Sequence, residues 1–303
     1  MVAAVTIALT GATGFVGARM LDLALAAGHS VRALTRRPQS PRDGVIWIDG
    51  ALDTPAALAE LVEGVDAVIH VAGVINAPDA AGFEAGNVIG TGAMLAAAEA
   101  AGTRRFVHVS SLAAREPDLS CYGASKARSE ALVAASPLST AIVRPPAVYG
   151  PGDRETLELF KLAARGIVVL PPSGKLSLIH VDDLARLLLA LATGNTSGLI
   201  EPDDGRPSAW THREFGQALG RAVGKTVRIL SVPRLLMALA ARADRLVRGA
   251  NARLTPDRAA YFCHPDWAVS IDRAVPAALW RPQIDTQQGL AETALWYRAA
   301  GWL

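Results

Sequence analysis

A tyrosine and a lysine four residues apart, in Tyr122-Gly123-Ala124-Ser125-Lys126, have the spacing in this sequence that most invites chemistry. On a helix, residues i and i+4 share a face. An ammonium there stabilises the phenolate of its neighbour. That brings a group titrating ordinarily near about 10 towards working pH, as an acid–base catalyst requires. Such pairs also arise by chance on helix surfaces, so position must supply the weight. Eleven residues before Tyr122, Ser110-Ser111 closes the apolar run Phe106–Val109. A hydroxyl at that strand end can bond a carbonyl oxygen or alkoxide, or simply cap the strand. Asn87 can hold a water in a proton relay, or make only a local hydrogen bond as a helix-interior amide.

Gly11-Ala12-Thr13-Gly14-Phe15-Val16-Gly17 follows a short β-branched run, Val5–Leu9, and opens a helical stretch, Arg19–Ala27, that stops at Gly28. Glycines in such a strand–turn–helix permit a tight turn, close backbone approach to a pyrophosphate, and close helix–strand packing. The helix N-terminus adds free N–H donors and its dipole. The reading is dinucleotide binding, within which Lys126 can reach ribose hydroxyls. An acid about 20 residues after the glycines would suit the ribose of NAD. Here the position reads Thr35-Arg36-Arg37-Pro38, which favours the 2′-phosphate of NADP, with Arg36 stacking on adenine.

The elements that must position these groups alternate in period. Ser30–Leu34, Ala67–Val71, Arg105–Val109 and Thr140–Val143 read as further strands. Pro55–Val62, Ala85–Ala101 and Tyr122–Ala135 read as helices, the first with Thr54 as N-cap. Strands separated by helices form βαβ units. The expected fold is therefore α/β, a Rossmann-type doubly wound parallel sheet over residues 1–150. Turn clusters at Pro151-Gly152-Asp153 and Pro171-Pro172-Ser173-Gly174 mark a change of texture. Residues 151–303 are expected to form a smaller, mostly helical substrate region over the carboxyl edge of the sheet, interleaved with the first domain around 178–193.

The 303 residues are 51% hydrophobic and 19% charged, which requires a large core and excludes global disorder. A net charge of +2 argues against a nucleic-acid binder. Cys121 and Cys263 are too few for a disulfide scaffold and lack zinc spacing, so a reducing cytoplasm and no metal are expected. The N-terminus lacks a signal pattern, and no apolar run approaches the roughly 20 residues of a membrane span.

In order along the chain, Gly11-xx-Gly14-xx-Gly17, Ala72-Gly73, Asn87, Ser111 and Tyr122-xxx-Lys126 resemble the extended short-chain dehydrogenase/reductase family of NAD(P)-dependent epimerases, dehydratases and reductases. Arg144–Asp153 and Ile179–Leu184 are similar to its later motifs, so the resemblance runs to about residue 200. It implies Tyr122 as acid–base catalyst, Lys126 as its partner and ribose contact, Ser111 on the substrate oxygen, and Asn87 in the relay. It implies cofactor contacts at Gly11, Thr13, Gly14, Phe15, Val16, Gly17, Arg36, Leu52, Ala72 and Gly73, with Pro145 to Val148 lining the nicotinamide side. Homodimerisation through helices 85–101 and 122–135 is a further implication. Two features depart from the pattern. Gly50-Ala51-Leu52 replaces Gly-Asp-Leu, leaving an adenine contact missing or transferred to Asp49 or Asp53. The Ser111–Tyr122 interval is short for a nucleotide-sugar epimerase, and Leu112-Ala113 replaces the acid pair of sugar dehydratases.

The expected activity is hydride transfer between a nicotinamide and a ketone or secondary alcohol of a fairly apolar small molecule. The alternatives are a nucleotide-sugar epimerase with tightly held NAD, or a non-catalytic NADPH-binding assembly or sensor protein. His180 and Asp183 read as a structural strand–helix junction, and Cys121 as a packed thiol. Arg234, Arg242, Arg245 and Arg248 surround a leucine-rich stretch. That reads as a docked helix with a solvated arginine face, with a membrane-surface helix as the other reading. Trp267, Trp280, Trp296 and Trp302 are expected to anchor the tail, or to line an apolar pocket.

Overall fold

The computed structural model describes residues 4–249, 252 and 254–303. The chain forms two compact units. One comprises residues 1–145, 184–201 and 275–280, and the other residues 146–183, 202–274 and 281–303.

The first unit is built on a seven-stranded parallel sheet. Its strands are β1 (Thr6–Thr10), β2 (Ser30–Thr35), β3 (Val45–Asp49), β4 (Ala67–His70), β5 (Arg105–Val109), β6 (Ser139–Val143) and the edge strand β11 (Gly198–Ile200), in spatial order β11-β6-β5-β4-β1-β2-β3. All pairs are parallel. The chain reverses its winding between β1 and β4, so that gap is the topological switch point where open α/β sheets take ligands. Thr10 stands opposite His70 there.

The helices are α1 (Phe15–Ala26), α2 (Pro55–Leu61), α3 (Ala80–Phe83), α4 (Gly90–Ala100) and α5 (Cys121–Ala135). Ala8, Val68, Phe106 and Ile142 of the sheet are buried with Leu58, Met94 and Val133 of the helices, the non-polar transfer that stabilises the layer. Local structure differs from expectation in three places. The first helix starts at Phe15 rather than Arg19, because Phe15–Ala18 already wind within the glycine loop. The helix expected at 85 is preceded by α3 and by a π-helical segment, Glu84–Ile89. The edge strands β3 and Gly198–Ile200 add to the five expected. The strand at 198–200 is only three residues long, whereas β3 carries the apolar run Val45–Ile48 and went unread.

The second unit has its own core of Tyr149, Phe160, Trp210, Phe215, Leu219 and Tyr297, among others. Its paired strands are β7 (Ala147–Tyr149) with β10 (Leu178–His180), and β8 (Ile167–Leu170) with β13 (Arg228–Ser231). A three-stranded sheet joins β9 (Lys175–Leu176), β12 (Trp210–Thr211) and β14 (Asp266–Trp267). The region is therefore less purely helical than its composition suggests. Its helices are α6 (Leu157–Ala164), α8 (His212–Val223), α9 (Arg234–Arg248), α10 (Pro256–Phe262) and α11 (Thr286–Ala299), and helix α7 (Val181–Thr193) carries the chain back to the first unit. Helix α8 starts with a capping box between Thr211 and Glu214 and ends at Gly224 in the left-handed region, φ +73°. The carboxylate of Asp183 accepts backbone N–H bonds from Gln283 (2.9 Å) and Ile284 (3.1 Å), and His180 meets the Tyr149 ring edge-on, so both serve packing. Trp267 is buried and Trp302 stacks on Tyr297, whereas Trp296 is more than a third exposed.

Helix α9 departs from expectation most. Of its residues only Ala241 is buried, and Leu235, Leu236, Leu239, Leu246 and Val247 face solvent together with the arginines. The leucines do not dock inward. Among the described residues no helix is long and apolar enough to cross a membrane.

Candidate active site

The loop from β1 to α1 has no room for side chains. Gly11 has φ +75°, and a Cβ there would sit 2.9 Å from the Ala72 nitrogen. A Cβ on Gly17 would lie 2.0 Å from the Gly11 oxygen, inside any permissible contact. The Gly14 N–H closes the turn on the Gly11 carbonyl at 2.9 Å. No side chain caps α1 and no acid lies in its first turn, so its leading N–H groups, beginning at Phe15 and Val16, point out as an anion site would need. Thr13 is exposed on the same loop. Ala72 is tied to it by an N–H bond to Thr10 Oγ1 (3.1 Å). A cradle of backbone that any Cβ would fill fits the pyrophosphate of a dinucleotide.

At the end of β2, Thr35 is followed by exposed Arg36 and Arg37, with no carboxylate at that strand end. Asp49 and Asp53, the candidates for the missing adenine contact, are both exposed. Leu52 is half-buried and packs so close to the start of α4 that a Cβ on Gly90 would fall 2.7 Å from it.

Across the switch point, Gly73 separates two of the predicted residues. A side chain there would begin 3.0 Å from Asn87 Oδ1 and 3.9 Å from Lys126 Nζ. Asn87 is buried in the π-helical segment, a feature frequent at functional sites. Its Oδ1 accepts from Val74 N (2.6 Å), and its Nδ2 donates to Val74 O and to Ser125 Oγ (both 2.9 Å). Besides the two readings of Asn87, relay water or local helix bond, the structure gives it a further part. Its amide, fully engaged, pins the segment after β4 to α5.

Helix α5 starts at Ser120, whose hydroxyl accepts from Gly123 N (2.9 Å). This cap starts the helix, whose period puts Tyr122 and Lys126 on one face. Tyr122 is half-buried, its ring 6.1 Å from that of Phe83. Lys126 is buried, and its ammonium donates to Val109 O at 2.8 Å, at the carboxyl end of β5. Burial lowers its pKa from 10.5 to about 8, and Glu130 one turn on opposes the fall. The charge is therefore retained at neutral pH.

The serines behave differently from each other. Ser110 is buried and donates to Glu130 (2.5 Å). Ser111 is half-buried and caps the 3₁₀ turn Leu112–Arg115, accepting from Ala113 N at 3.2 Å. Buried Pro145 is tied to the same turn, its carbonyl accepting from Leu112 N (3.1 Å). Val148 lies in β7, in the second unit, half-buried. Cys121 is exposed rather than packed. No group of three metal-ligating side chains occurs among the described residues.

Sequence reasoning passed over what supports the lysine from below. His70 and His108, at matching positions of β4 and β5, stack at 5.6 Å. Thr10 and Thr91 bond His70, and Ser129 bonds His108. Burial, reinforced by Lys126, takes the pKa of His70 down to about 3 and lowers that of His108 as well, so both are neutral. Beside them Arg144 grips Glu130 through two bonds (2.6 and 2.8 Å) and reaches Glu201 at 3.3 Å. Burial works against the arginine's charge, but the two carboxylates outweigh it and raise its pKa. The available signal was a histidine within the apolar part of each of two strands, Ala67–His70 and Phe106–Val109.

Residues 7–200 match the NAD dependent epimerase/dehydratase family. A ceramide reductase of Caulobacter vibrioides is 41% identical over 310 residues, covering 98% of this chain and 96% of the relative. A 2-alkyl-3-oxoalkanoate reductase of Stenotrophomonas maltophilia is 33% identical over 208 residues, 59% of this chain and 62% of the relative. Among solved structures, MoeE5 in complex with UDP-glucose and NAD superposes with a TM-score of 0.74 at 23% identity, over 97% of this chain and 99% of that one, a likeness of fold.

Proposed function

The chain belongs to the NAD-dependent epimerase/dehydratase family of extended short-chain dehydrogenases/reductases, and from that premise we propose that it reduces a ketone on an apolar, lipid-like substrate with a nicotinamide cofactor, NADPH in preference to NADH. The observation that carries the reading is the buried Lys126 ammonium, four residues from Tyr122 on one helix face and separated from Asn87 by a residue without a side chain. The Gly11–Gly17 loop would hold the pyrophosphate, and Arg36 the adenosine end. When bound, the nicotinamide supplies the hydride.

The other steps fall to the chain. The Tyr122 phenol gives its proton to the oxygen of the reduced carbonyl, and the Lys126 charge stabilises the phenolate left behind. The Ser111 hydroxyl turns from its cap to donate to that oxygen, stabilising the negative charge it gathers. Asn87 keeps the loop after β4 fixed against α5. The ceramide reductase, similar over nearly its whole length, supports a long-chain amide lipid bearing a ketone as the substrate class. The short span from Ser111 to Tyr122, wound into two 3₁₀ turns, favours this over an epimerase's longer loop.

Purified protein is assayed for oxidation of NADPH and of NADH with a ketone-bearing ceramide and with UDP-glucose. Turnover of the lipid ketone with higher kcat/KM for NADPH is expected. Tyr122→Phe should remove turnover and leave NADPH binding nearly intact. Lipid reduction by Tyr122→Phe at the wild-type rate would refute the tyrosine's role, and interconversion of the sugar nucleotide without net redox would refute the reductase reading.

A further inference from the structure

We propose that α9 is a docking helix that lies on the surface of an anionic phospholipid bilayer. At 100° per residue, Leu235, Leu236, Leu239, Ala240, Ala243, Leu246 and Val247 fall within one arc of roughly 140° and nothing charged interrupts it. This is the outward arc: Leu235 is 72%, Leu246 87% and Val247 83% exposed. The other half carries Met237, Ala238, Ala241 and Asp244 interleaved with Arg234, Arg245 and Arg248, and Asp244 accepts the Leu254 N–H at 2.8 Å. The helix is thus turned with its leucines to solvent, and Ala241 is the one residue it buries. A water-facing helix normally has the opposite arrangement.

Charge identifies the occupant. Arg242 stands at one border of the leucine arc, and Arg245, Arg234 and Arg248 lie on the opposite half of the helix, all exposed. The helix's one acid, Asp244, is already engaged with Arg248 at 3.3 Å. A leucine face that enters the acyl boundary, backed by a polar face of arginines whose long stems reach towards headgroup phosphates, is the composition of an interfacial helix. Two copies of α9 packed through their leucine arcs would instead set two net-positive helices side by side, their one acid already engaged. The docking rests on the helix alone. Its use, drawing a lipid ketone from the bilayer, rests on the reductase reading.

The test is flotation of the full chain with vesicles of pure phosphatidylcholine and of phosphatidylcholine and phosphatidylglycerol in equal parts. The wild type is expected to float with the anionic vesicles, weakly with the neutral ones, and less as salt rises. L239E/L246E should abolish flotation. R242Q/R245Q should lower partitioning about thirtyfold, the factor for two surface arginines. Both variants should keep the wild-type melting midpoint, since they alter exposed positions. Failure of the wild type to float, or flotation indifferent to both variants, overturns the proposal. So does a dimer, measured by light scattering, that L239E/L246E splits while vesicles remain unbound. Flotation as expected in a protein that reduces no lipid ketone leaves the docking standing and removes the reductase reading.

Discussion

Replacing Lys126 by methionine should stabilise the cofactor-free protein at neutral pH while ending its turnover. The lysine is 4% exposed, and its pKa drops from 10.5 to about 8 because burial penalises the ammonium more than Glu130 relieves it. Below about pH 8 folded and unfolded chains both carry the proton, and the full cost of burying the charge is felt. Between about 8 and 10.5 the unfolded chain still holds a proton that the folded chain has released, so stability climbs with pH. Above that range the contribution is level. The gap is worth about 3 kcal/mol, at roughly 1.4 kcal/mol for each pH unit. Methionine removes this cost but leaves the Val109 carbonyl without its 2.8 Å donor, a loss of about 1 kcal/mol. A net gain of about 2 kcal/mol remains, as expected where a site is strained for function. Urea denaturation of both proteins at stepped pH measures it. The wild type should gain on the variant as pH rises through 8. A variant less stable at neutral pH, or a difference that does not change with pH, would refute the reasoning.

Acid should act through the histidines. With His70 depressed to about 3 and ordinarily near 6.5, the unfolded chain binds the proton first, so stability should fall as pH drops from about 6.5, and His108 adds to the fall. Denaturation at stepped acid pH checks this, and His70→Gln should flatten the slope. Gly17→Ala forces a Cβ to 2.0 Å from the Gly11 oxygen, so α1 must shift, and NADPH affinity by fluorescence titration should fall more than tenfold. Glu130→Gln removes the counter-charge of Lys126 and one of the two carboxylates on Arg144, leaving Glu201. It should cost about 3–5 kcal/mol in denaturation and move the alkaline limb of kcat to lower pH.

Much of the site is legible in the residues because its chemistry is local. Glycines three apart between a β-branched run and a helix specify a turn through φ and Cβ sterics alone, and Gly11 and Gly17 behave as that argument requires. The Tyr122–Lys126 face follows from helical period once Ser120 caps the helix. The parallel sheet follows from strands alternating with helices, and only its two edge strands escape notice.

What escaped the sequence depends on partners far along the chain. Nothing near Ser110-Ser111 says that one hydroxyl turns to Glu130 and the other caps a turn; the register of β5 against α5 decides it. Asn87 is consumed by Val74 and Ser125, and Lys126 is buried over two neutral histidines, because strands 38 residues apart in numbering, from His70 to His108, lie side by side. Composition alone puts leucines inside, yet α9 turns them outward, since burial is a property of what a helix packs against and period is a property of the helix. By itself the sequence determined backbone geometry and spacing. Which groups are dry, paired or exposed was decided only when the folded chain supplied their neighbours, because desolvation and hydrogen bonding are set by surroundings that no local stretch contains.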